Sequence, residues 1–355
     1  MKNNKPTAID LFCGAGGLTT GLKKAGFSVL AGFEIDETAA ESYKLNHRRS
    51  KLFLGDISKL NPNTIMTELG LETGELDLLA GCPPCQGFSS HKTRNRAASV
   101  DDSRNDLIFS VLDFIKVMLP KTIMIENVPG LAKDNRIEIF KESIKLLGYI
   151  INDDTVKVLD AADYGVPQRR KRMILQASRF GIITLPQKLK YRKTVKETIN
   201  FLPPPGDSGD ILHDLPVTRS EKVNRIIRSI PKDGGSRADL PLELWLPCHI
   251  KRPGSYTDVY GRMAWNDVSP TITGGCSSPS KGRFIHPEQD RAITLREAAL
   301  LQTFPPKYKF SLRKGKDFTA LMIGNALPPQ LISIHAKQYK QHLEQINAGS
   351  AACQN

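Results

Sequence analysis

The sequence has no long apolar run and no set of paired cysteines of the kind that holds zinc. No stretch approaches the roughly 18 apolar residues of a membrane-spanning helix, and no apolar leader precedes the first predicted strand. The six cysteines are scattered, and only Cys82 and Cys85 have Cys-x-x-Cys spacing. We therefore expect a reduced cytoplasmic protein with free thiols, no metal and no membrane partner.

Acidic residues are also scarce relative to basic ones. The 355 residues include 50 Lys and Arg against 37 Asp and Glu, which gives a formal net charge of +13. Residues 168–193 contain nine Lys and Arg and not one Asp or Glu. A segment whose charged residues are all basic is typical of a surface that binds the phosphates of a nucleic acid, although many basic proteins never bind nucleic acid.

Short apolar strands alternate with amphipathic helices over residues 1–180, which predicts an α/β fold with a doubly wound, mostly parallel sheet. Pro- and Gly-rich stretches over 181–285 predict a second, smaller irregular domain. Residues 286–345 return to the first domain, and 346–355 form a frayed tail. Strands are expected at 8–12, 28–33, 52–54, 76–80, 121–125 and 172–176. One helix should end at residue 25, and others should span 106–118, 136–147, 294–302 and 330–345. The spacing of Thr294 and Glu297 predicts a capping box at the start of the helix at 294–302.

A glycine cluster follows the first predicted strand, where Gly14, Gly16 and Gly17 permit a tight turn into a helix. Glu34, about twenty residues on, is placed to hold ribose hydroxyls. Nicotinamide, flavin and S-adenosylmethionine sites share this signal. The spacing Gly-x-Gly-Gly differs from the Gly-x-Gly-x-x-Gly pattern of dinucleotide sites and therefore disfavours a dinucleotide. Asp56 follows the third strand, where an adenine contact and a helix N-cap remain equally open.

A cysteine follows the fourth predicted strand on a stiff support. Pro83 and Pro84 forbid continuation of the strand, so an extended loop should project Cys85 from the edge of the sheet. The alternatives are a buried structural cysteine and half of a Cys-x-x-Cys pair.

Glu126 follows the fifth predicted strand, where a carboxylate is costly unless it has a partner or a function. A helix cap or a salt bridge would also explain it. Ligands of doubly wound sheets bind outside the carboxyl ends of the strands. Since Gly14, Glu34, Asp56, Cys85 and Glu126 each follow a different strand, we expect them to line one cleft.

The basic run at 168–172 leads into the last predicted strand. Alternate residues of a strand face one side, so Arg170 and Arg172 can point together. In isolation, the default interpretation of these five residues is a solvated basic segment.

Together these segments resemble the ordered motifs of bacterial C5-cytosine-specific DNA methyltransferases of restriction-modification systems. The match extends over most of residues 7–335, and residues 205–260 fall where the family keeps its target-recognition segment. The motifs are DLFCGAGG at 10–17, PPCQGFS at 83–89, ENV at 126–128, QRRKR at 168–172, REAALLQTFP at 296–305 and GNALPP at 324–329.

The resemblance implies a covalent mechanism. Addition of the Cys85 thiolate to C6 of a flipped-out cytosine would make C5 nucleophilic toward the sulfonium methyl. Glu126 would bind N3 and the exocyclic amine, and Arg172, with Arg170 beside it, would hold O2. The carbonyl of Pro84 would help to distinguish the amine from the carbonyl of thymine. The loop after Cys85, through about residue 103, would close over the base.

The resemblance also implies an S-adenosylmethionine-dependent methyltransferase sheet, with this compound as methyl donor and no metal. Double-stranded DNA is the expected partner of a monomer in the bacterial cytoplasm. Phe12 would stack on the adenine. The remaining cofactor-binding residues would be Gly14, Ala15, Gly16, Gly17, Glu34, Ile35, Asp56, Ile57, Pro84, Leu107, Asn325, Ala326 and Leu327.

Three rival functions are weaker. A transfer-RNA cytosine methyltransferase would share the catalytic motifs, but the substantial 181–285 segment favours DNA. An inactive DNA-binding regulator would not need Cys85 and Glu126. A nicotinamide oxidoreductase would leave Cys85 without a role. Target reading is assigned to the second domain, where guanine contacts are expected from among Arg219, Arg225, Arg228, Arg237 and Arg252.

Overall fold

The computed structural model describes residues 5–84 and 106–352, which form a seven-stranded sheet flanked by helices. The strand order is β3-β2-β1-β4-β5-β7-β6, and the chain reverses its direction of winding between β1 and β4. The strands are β1 (Thr7–Leu11), β2 (Ser28–Glu34), β3 (Lys51–Leu54), β4 (Leu78–Gly81), β5 (Thr122–Asn127), β6 (Val156–Asp160) and β7 (Lys171–Ser178).

Strands β1 to β5 pair in parallel, whereas β7 runs antiparallel to both β5 and β6. The expectation of a mostly parallel, doubly wound sheet is therefore confirmed. The predicted strands all form, and their ends shift by at most two residues. The sequence analysis missed β6, whose residues are only partly buried and alternate weakly in polarity.

Helices cover both faces of the sheet, because successive residues of each strand point to opposite sides. On one face, Ile9 and Leu11 pack with side chains of α4 and α5; on the other, Ala8 packs with α1 and α12. The helices of this part are α1 (Gly17–Ala25), α2 (Glu37–Asn46), α3 (Pro62–Glu68), α4 (Leu107–Met118), α5 (Asn135–Leu146) and α12 (Pro329–Ala352).

The remaining helices are short, with one exception. They are α6 (Lys196–Ile199), α7 (Ile211–Asp214), α8 (Glu221–Ser229), α9 (Pro247–Lys251), α10 (Leu295–Leu301) and the longer α11 (Gly315–Asn325). The predicted capping box at the start of α10 is present, with reciprocal bonds between Thr294 and Glu297. Helices α2, α3, α6 to α9 and α11 were not predicted, and α12 continues to Ala352, beyond the predicted end at residue 345.

The chain divides into two compact units. Among the described residues, the first comprises 5–84, 106–161, 171–188 and 327–352, and the second comprises 162–170 and 189–326. The sequence-based division placed 286–326 with the first domain. These residues group with the second unit because α10 bonds within it, as in the ion pair between Arg296 and Asp210. No helix in the described part of the chain is long and apolar enough to cross a membrane.

Candidate active site

The carboxyl ends of the parallel strands carry most of the polar residues that the sequence singled out. Gly14 follows β1, Glu34 ends β2, Asp56 follows β3, and Glu126 lies near the end of β5. Pro84 follows β4. Because parallel strands end at one edge of a sheet, this placement agrees with the predicted cleft. Cys85 and the predicted closing loop lie outside the described residues.

The glycine turn is held by Glu34. The N–H of Gly14 donates to Glu34 Oε2 at 2.9 Å, and the N–H groups of Ile35 and Asp36 donate to Oε1 at 2.9 and 2.8 Å. Burial raises the pKa of Glu34, and these three donors oppose the rise. Gly16 precedes α1 with φ of 96°, a left-handed conformation that favours glycine. Ala15 and Gly17 are buried within this turn.

The side chains beside this turn differ in solvent exposure. Ile35 has a 66% exposed side chain. Phe12 is half-buried at a positive φ of 63°. Asp56 caps the short 3₁₀ helix at Ile57–Lys59, since its Oδ1 accepts from the N–H and hydroxyl of Ser58. Of the two readings of Asp56, the N-cap is therefore present. Ile57 is buried.

Asp10, which the sequence analysis gave no separate role, lies fully buried beneath the glycine turn. Its Oδ2 accepts from the N–H and hydroxyl of Thr19 at 2.9 and 2.6 Å, which ties β1 to α1. Its Oδ1 is buried without a hydrogen-bond donor among the described residues. Burial raises the pKa of Asp10 from 3.8 to about 7. The carboxyl group is thus protonated more readily in the folded protein than in the unfolded chain.

We expect Asp10→Asn to change how stability depends on pH. A raised folded-state pKa stabilises the fold fully below about pH 4, and this contribution disappears as the pH rises through about 7. The asparagine variant lacks this dependence. Between pH 5 and pH 8, the melting temperature of the variant should therefore rise by several degrees relative to that of the wild type. This corresponds to a change of about 1–2 kcal/mol in the difference between their unfolding free energies. Parallel melting curves of the two proteins over that range would contradict the assignment.

The segment after β4 is tied to β5. Asn127 donates from Nδ2 to the carbonyl oxygen of Pro83 at 2.9 Å, and both residues are buried. This bond holds the start of the proline segment, including the partly buried Pro84, against the carboxyl end of β5. The sequence analysis gave Asn127 no role, although the adjacent position in the ENV motif was a signal for one.

Glu126 is almost fully buried, at 2% exposure, and has two partners within the first unit. Its Oε1 lies 2.8 Å from Nε of Arg172 in an ion pair, and its Oε2 accepts from the thiol of Cys82 at 2.8 Å. Oε1 accepts no hydrogen bond from the described residues. A buried carboxylate with one oxygen lacking a hydrogen-bond donor can accept from a ligand.

The antiparallel direction of β7 explains the pairing of Glu126 with Arg172. Asn127 of β5 is opposite Met173 of β7, so the start of β7 lies at the carboxyl end of β5. Arg172, the second residue of β7, is therefore carried to Glu126. The salt bridge that the sequence left open for Glu126 is thus present, and the roles of both residues toward cytosine stay predictions.

Arg170 has different partners. It precedes β7, is 3% exposed, and donates to the carbonyl oxygens of Ile272, Gly324 and Ala326 at 3.0, 3.0 and 3.2 Å. All of these residues belong to the second unit. Arg170 thus donates to backbone carbonyls, whereas Arg172 pairs with Glu126, and the alternation expected of one strand does not extend to Arg170 because β7 begins only at Lys171.

Hydrogen bonds of two buried glutamine side chains connect motif residues within the second unit. Gln168 donates to Oε1 of Gln302 at 2.8 Å, and Gln302 donates to the carbonyl of Ile323 at 2.6 Å. Gly324 packs so closely on residues 273–274 that a Cβ there would lie 2.1 Å from backbone. These bonds join the QRRKR, REAALLQTFP and GNALPP motifs and leave Asn325 exposed at the end of α11.

Three further predicted cofactor residues differ in exposure. Ala326 is partly buried in the second unit, Leu327 is buried in the core of the first unit against α1, and Leu107 begins α4 partly buried. Their predicted contacts with a cofactor stay predictions. Among residues 5–84 and 106–352, no group of three or more His, Cys, Asp or Glu could hold a metal ion.

The arginines proposed to read guanine do not all remain available. Arg237 is 3% exposed and donates to the carbonyl oxygens of Pro253 and Ser255, so its predicted role is wrong. Arg228 forms an exposed ion pair with Glu221. The other candidates, Arg219, Arg225 and Arg252, stay predictions.

Comparison with known proteins gives a consistent result. A family model described as C-5 cytosine-specific DNA methylase matches residues 7–341. The type II methylase M.HgiDII of Herpetosiphon aurantiacus is 38% identical, with 95% of each chain covered. The type II methyltransferase M1.HphI of Haemophilus parahaemolyticus is 33% identical, covering 92% of this chain and 84% of the relative.

Solved structures show the same fold. A candidate DNA modification methyltransferase encoded within an E. coli prophage superposes with a TM-score of 0.73 at 25% identity, covering 96% of this chain and 100% of the other. A DNMT2 mutant of Spodoptera frugiperda superposes with a TM-score of 0.63, covering 94% and 99%. At 15% identity, the second likeness concerns the fold alone.

Proposed function

The chain belongs to the C-5 cytosine-specific DNA methylase family, and from this premise we propose that it methylates C5 of a cytosine in a short, specific double-stranded DNA sequence with S-adenosylmethionine as methyl donor. The observation that carries the proposal is the buried Glu126 carboxylate, paired with Arg172 at the carboxyl end of β5. A carboxylate acceptor beside a guanidinium donor matches the amine and carbonyl edges of cytosine.

The residues at the ends of β1 to β3 fit the proposed donor. Glu34 is fixed by three backbone N–H groups, and its oxygens can accept further bonds from ribose hydroxyls. Ile35 presents an exposed apolar side chain of the kind that packs on an adenine ring, with half-buried Phe12 as the second such residue. S-adenosylmethionine, when bound, supplies an electrophilic methyl group.

Cys85 is the proposed nucleophile. Addition of its thiolate to C6 of the cytosine forms a carbon–sulfur bond and shifts the ring electrons toward C5, which is otherwise a poor nucleophile. After C5 has been methylated, a base removes the C5 proton, and elimination of the thiolate restores the aromatic ring. The cytosine must leave the duplex to reach the thiol, so the proposal includes base flipping.

Glu126 and Arg172 stabilise the charge that this addition creates. The carboxyl group accepts from the exocyclic amine, and a proton held between it and N3 offsets the electron density that accumulates at N3 as the thiolate adds, while the guanidinium holds O2. Oε1 of Glu126, which accepts no hydrogen bond from the described residues, is available for such a contact. Arg170 acts through its carbonyl contacts by positioning the segment that contains Asn325.

The remaining parts of the proposal concern the biological setting. Residues 181–285 would read the target sequence, and a monomer acting in the bacterial cytoplasm would protect DNA from a cognate restriction endonuclease. The type II relatives support this role by their names. A one-signed basic segment at 168–193 supports binding to a polyanion.

The purified protein should transfer labelled methyl groups from S-adenosylmethionine to duplex DNA. Bisulfite sequencing of DNA from expressing cells should then reveal methylation at one short motif. Transfer RNA incubated in parallel serves as the competing substrate. Labelling of transfer RNA with none in DNA would refute the proposal.

A further inference from the structure

Cys82 lies beside Glu126 because of the register of two parallel strands. Gly81, the last residue of β4, pairs with Ile125 of β5, so the next residues, Cys82 and Glu126, are neighbours. The Sγ of Cys82 is 2.8 Å from Oε2 of Glu126. The sequence analysis left this cysteine without a function.

A proton must lie between these two groups. Sulfur and oxygen at this separation would repel each other if both were unprotonated and charged. The Cys82 thiol is the donor to Oε2, and the Glu126 carboxylate that accepts this bond is ion-paired with Arg172. The bond is therefore charge-assisted, of the kind that contributes more than a bond between neutral groups.

The two oxygens of Glu126 are thereby distinguished. Oε2 accepts from Cys82, whereas Oε1 faces Nε of Arg172 and accepts no hydrogen bond among the described residues. A carboxylate anchored at one oxygen cannot rotate freely about its terminal torsion. The other oxygen is then held in one orientation for an incoming donor.

We propose that Cys82 is a positioning residue for Glu126: its thiol anchors Oε2 so that Oε1 is presented to the exocyclic amine of the cytosine. This inference rests on the proposed function. It assigns Cys82 a part in recognition of the cytosine amine by Glu126, which a cysteine that only packs in the core would not have. Its test therefore measures discrimination between bases as well as rate.

The Cys82→Ala variant should slow methyl transfer about tenfold, which is the effect of losing one hydrogen bond to a charged group. The single-turnover rate should be compared for duplexes with cytosine and with 2-pyrimidinone, which lacks the amine, at the target position. The alanine variant should lose most of the wild-type preference for cytosine. The KM for S-adenosylmethionine should stay unchanged.

The Cys82→Ser variant provides the conservative rescue. Its hydroxyl restores a donor at the same position, so both the rate and the preference for cytosine should return toward wild-type values. Cys353→Ala, which removes a thiol in the C-terminal tail, is the matched control. If the alanine variant does not fold, Cys82→Gly also lacks the donor and takes its place in the comparison.

Two results would overturn the inference. One is an alanine or glycine variant with the wild-type rate and preference for cytosine. The other is equal impairment of the serine and alanine variants, since that would reflect packing rather than donation. Failure of the proposed function would look different, because the wild-type protein itself would then transfer no methyl group to DNA.

Discussion

Cys85→Ser should abolish methyl transfer to DNA while leaving DNA binding measurable. A serine hydroxyl is a far weaker nucleophile than a thiolate, so the addition to C6 that activates the ring cannot proceed at a useful rate. We expect the rate to fall by a factor on the order of 10³ or more, as is usual when a nucleophile is removed. Labelled methyl incorporation measures the first quantity, and fluorescence anisotropy with a target duplex measures the second.

The control for Cys85→Ser is Cys353→Ser, which makes the same chemical change outside every motif. It should retain wild-type transfer. Undiminished transfer by the Cys85 variant would refute its assignment as nucleophile. Equal loss of transfer and DNA binding, with a lowered melting temperature, would instead indicate a structural cysteine.

Glu126→Gln should give the second largest loss. Glutamine has nearly the same shape but cannot share a titratable proton with N3, so it cannot offset the electron density that develops there when the thiolate adds. Removing one preorganised electrostatic contact of this type costs about 10²–10³ in kcat. The substitution also leaves the guanidinium of Arg172, 15% exposed, without its charge partner. Single-turnover methyl transfer measures the catalytic effect.

A control variant at a second glutamate distinguishes a catalytic effect from the general effect of removing one negative charge. Glu68→Gln removes an exposed partner of Lys51, whose ion pair at 2.6 Å should contribute at most about 1 kcal/mol to stability. Its transfer rate should equal that of the wild type. A Glu126 variant that matched Glu68→Gln in rate would exclude a catalytic role for Glu126. Melting temperatures of both variants would show whether a lost rate reflects lost folding.

Much of the sheet could be predicted because its signals are local. Apolar runs bounded by Gly and Pro located β1 to β5, and a capping box located the start of α10. β6 was missed because only part of its surface is buried. Helix α11 was missed because a polar, Gly-containing stretch precedes it and its burial depends on packing against Thr273 and Gly274.

The site was predicted in its residue types but not in its contacts. Gly14, Glu34 and Glu126 could be placed at one edge because parallel strands end together. The antiparallel direction of β7 could not be predicted from the sequence, and it is this direction that brings Arg172 to Glu126. The same limit applies to Arg170 and Arg237, which the sequence offered for function and whose buried guanidinium groups donate to backbone carbonyls.

The sequence by itself therefore determined the family resemblance, the alternation of strands and helices, and the chemical groups available at the ends of the strands. These depend on residue type and on periodicities of a few residues. Only the tertiary structure decided which groups touch, such as Cys82 with Glu126, and which are desolvated, such as Asp10. Strand direction, register and burial arise from residues far apart in the chain, so no local pattern records them.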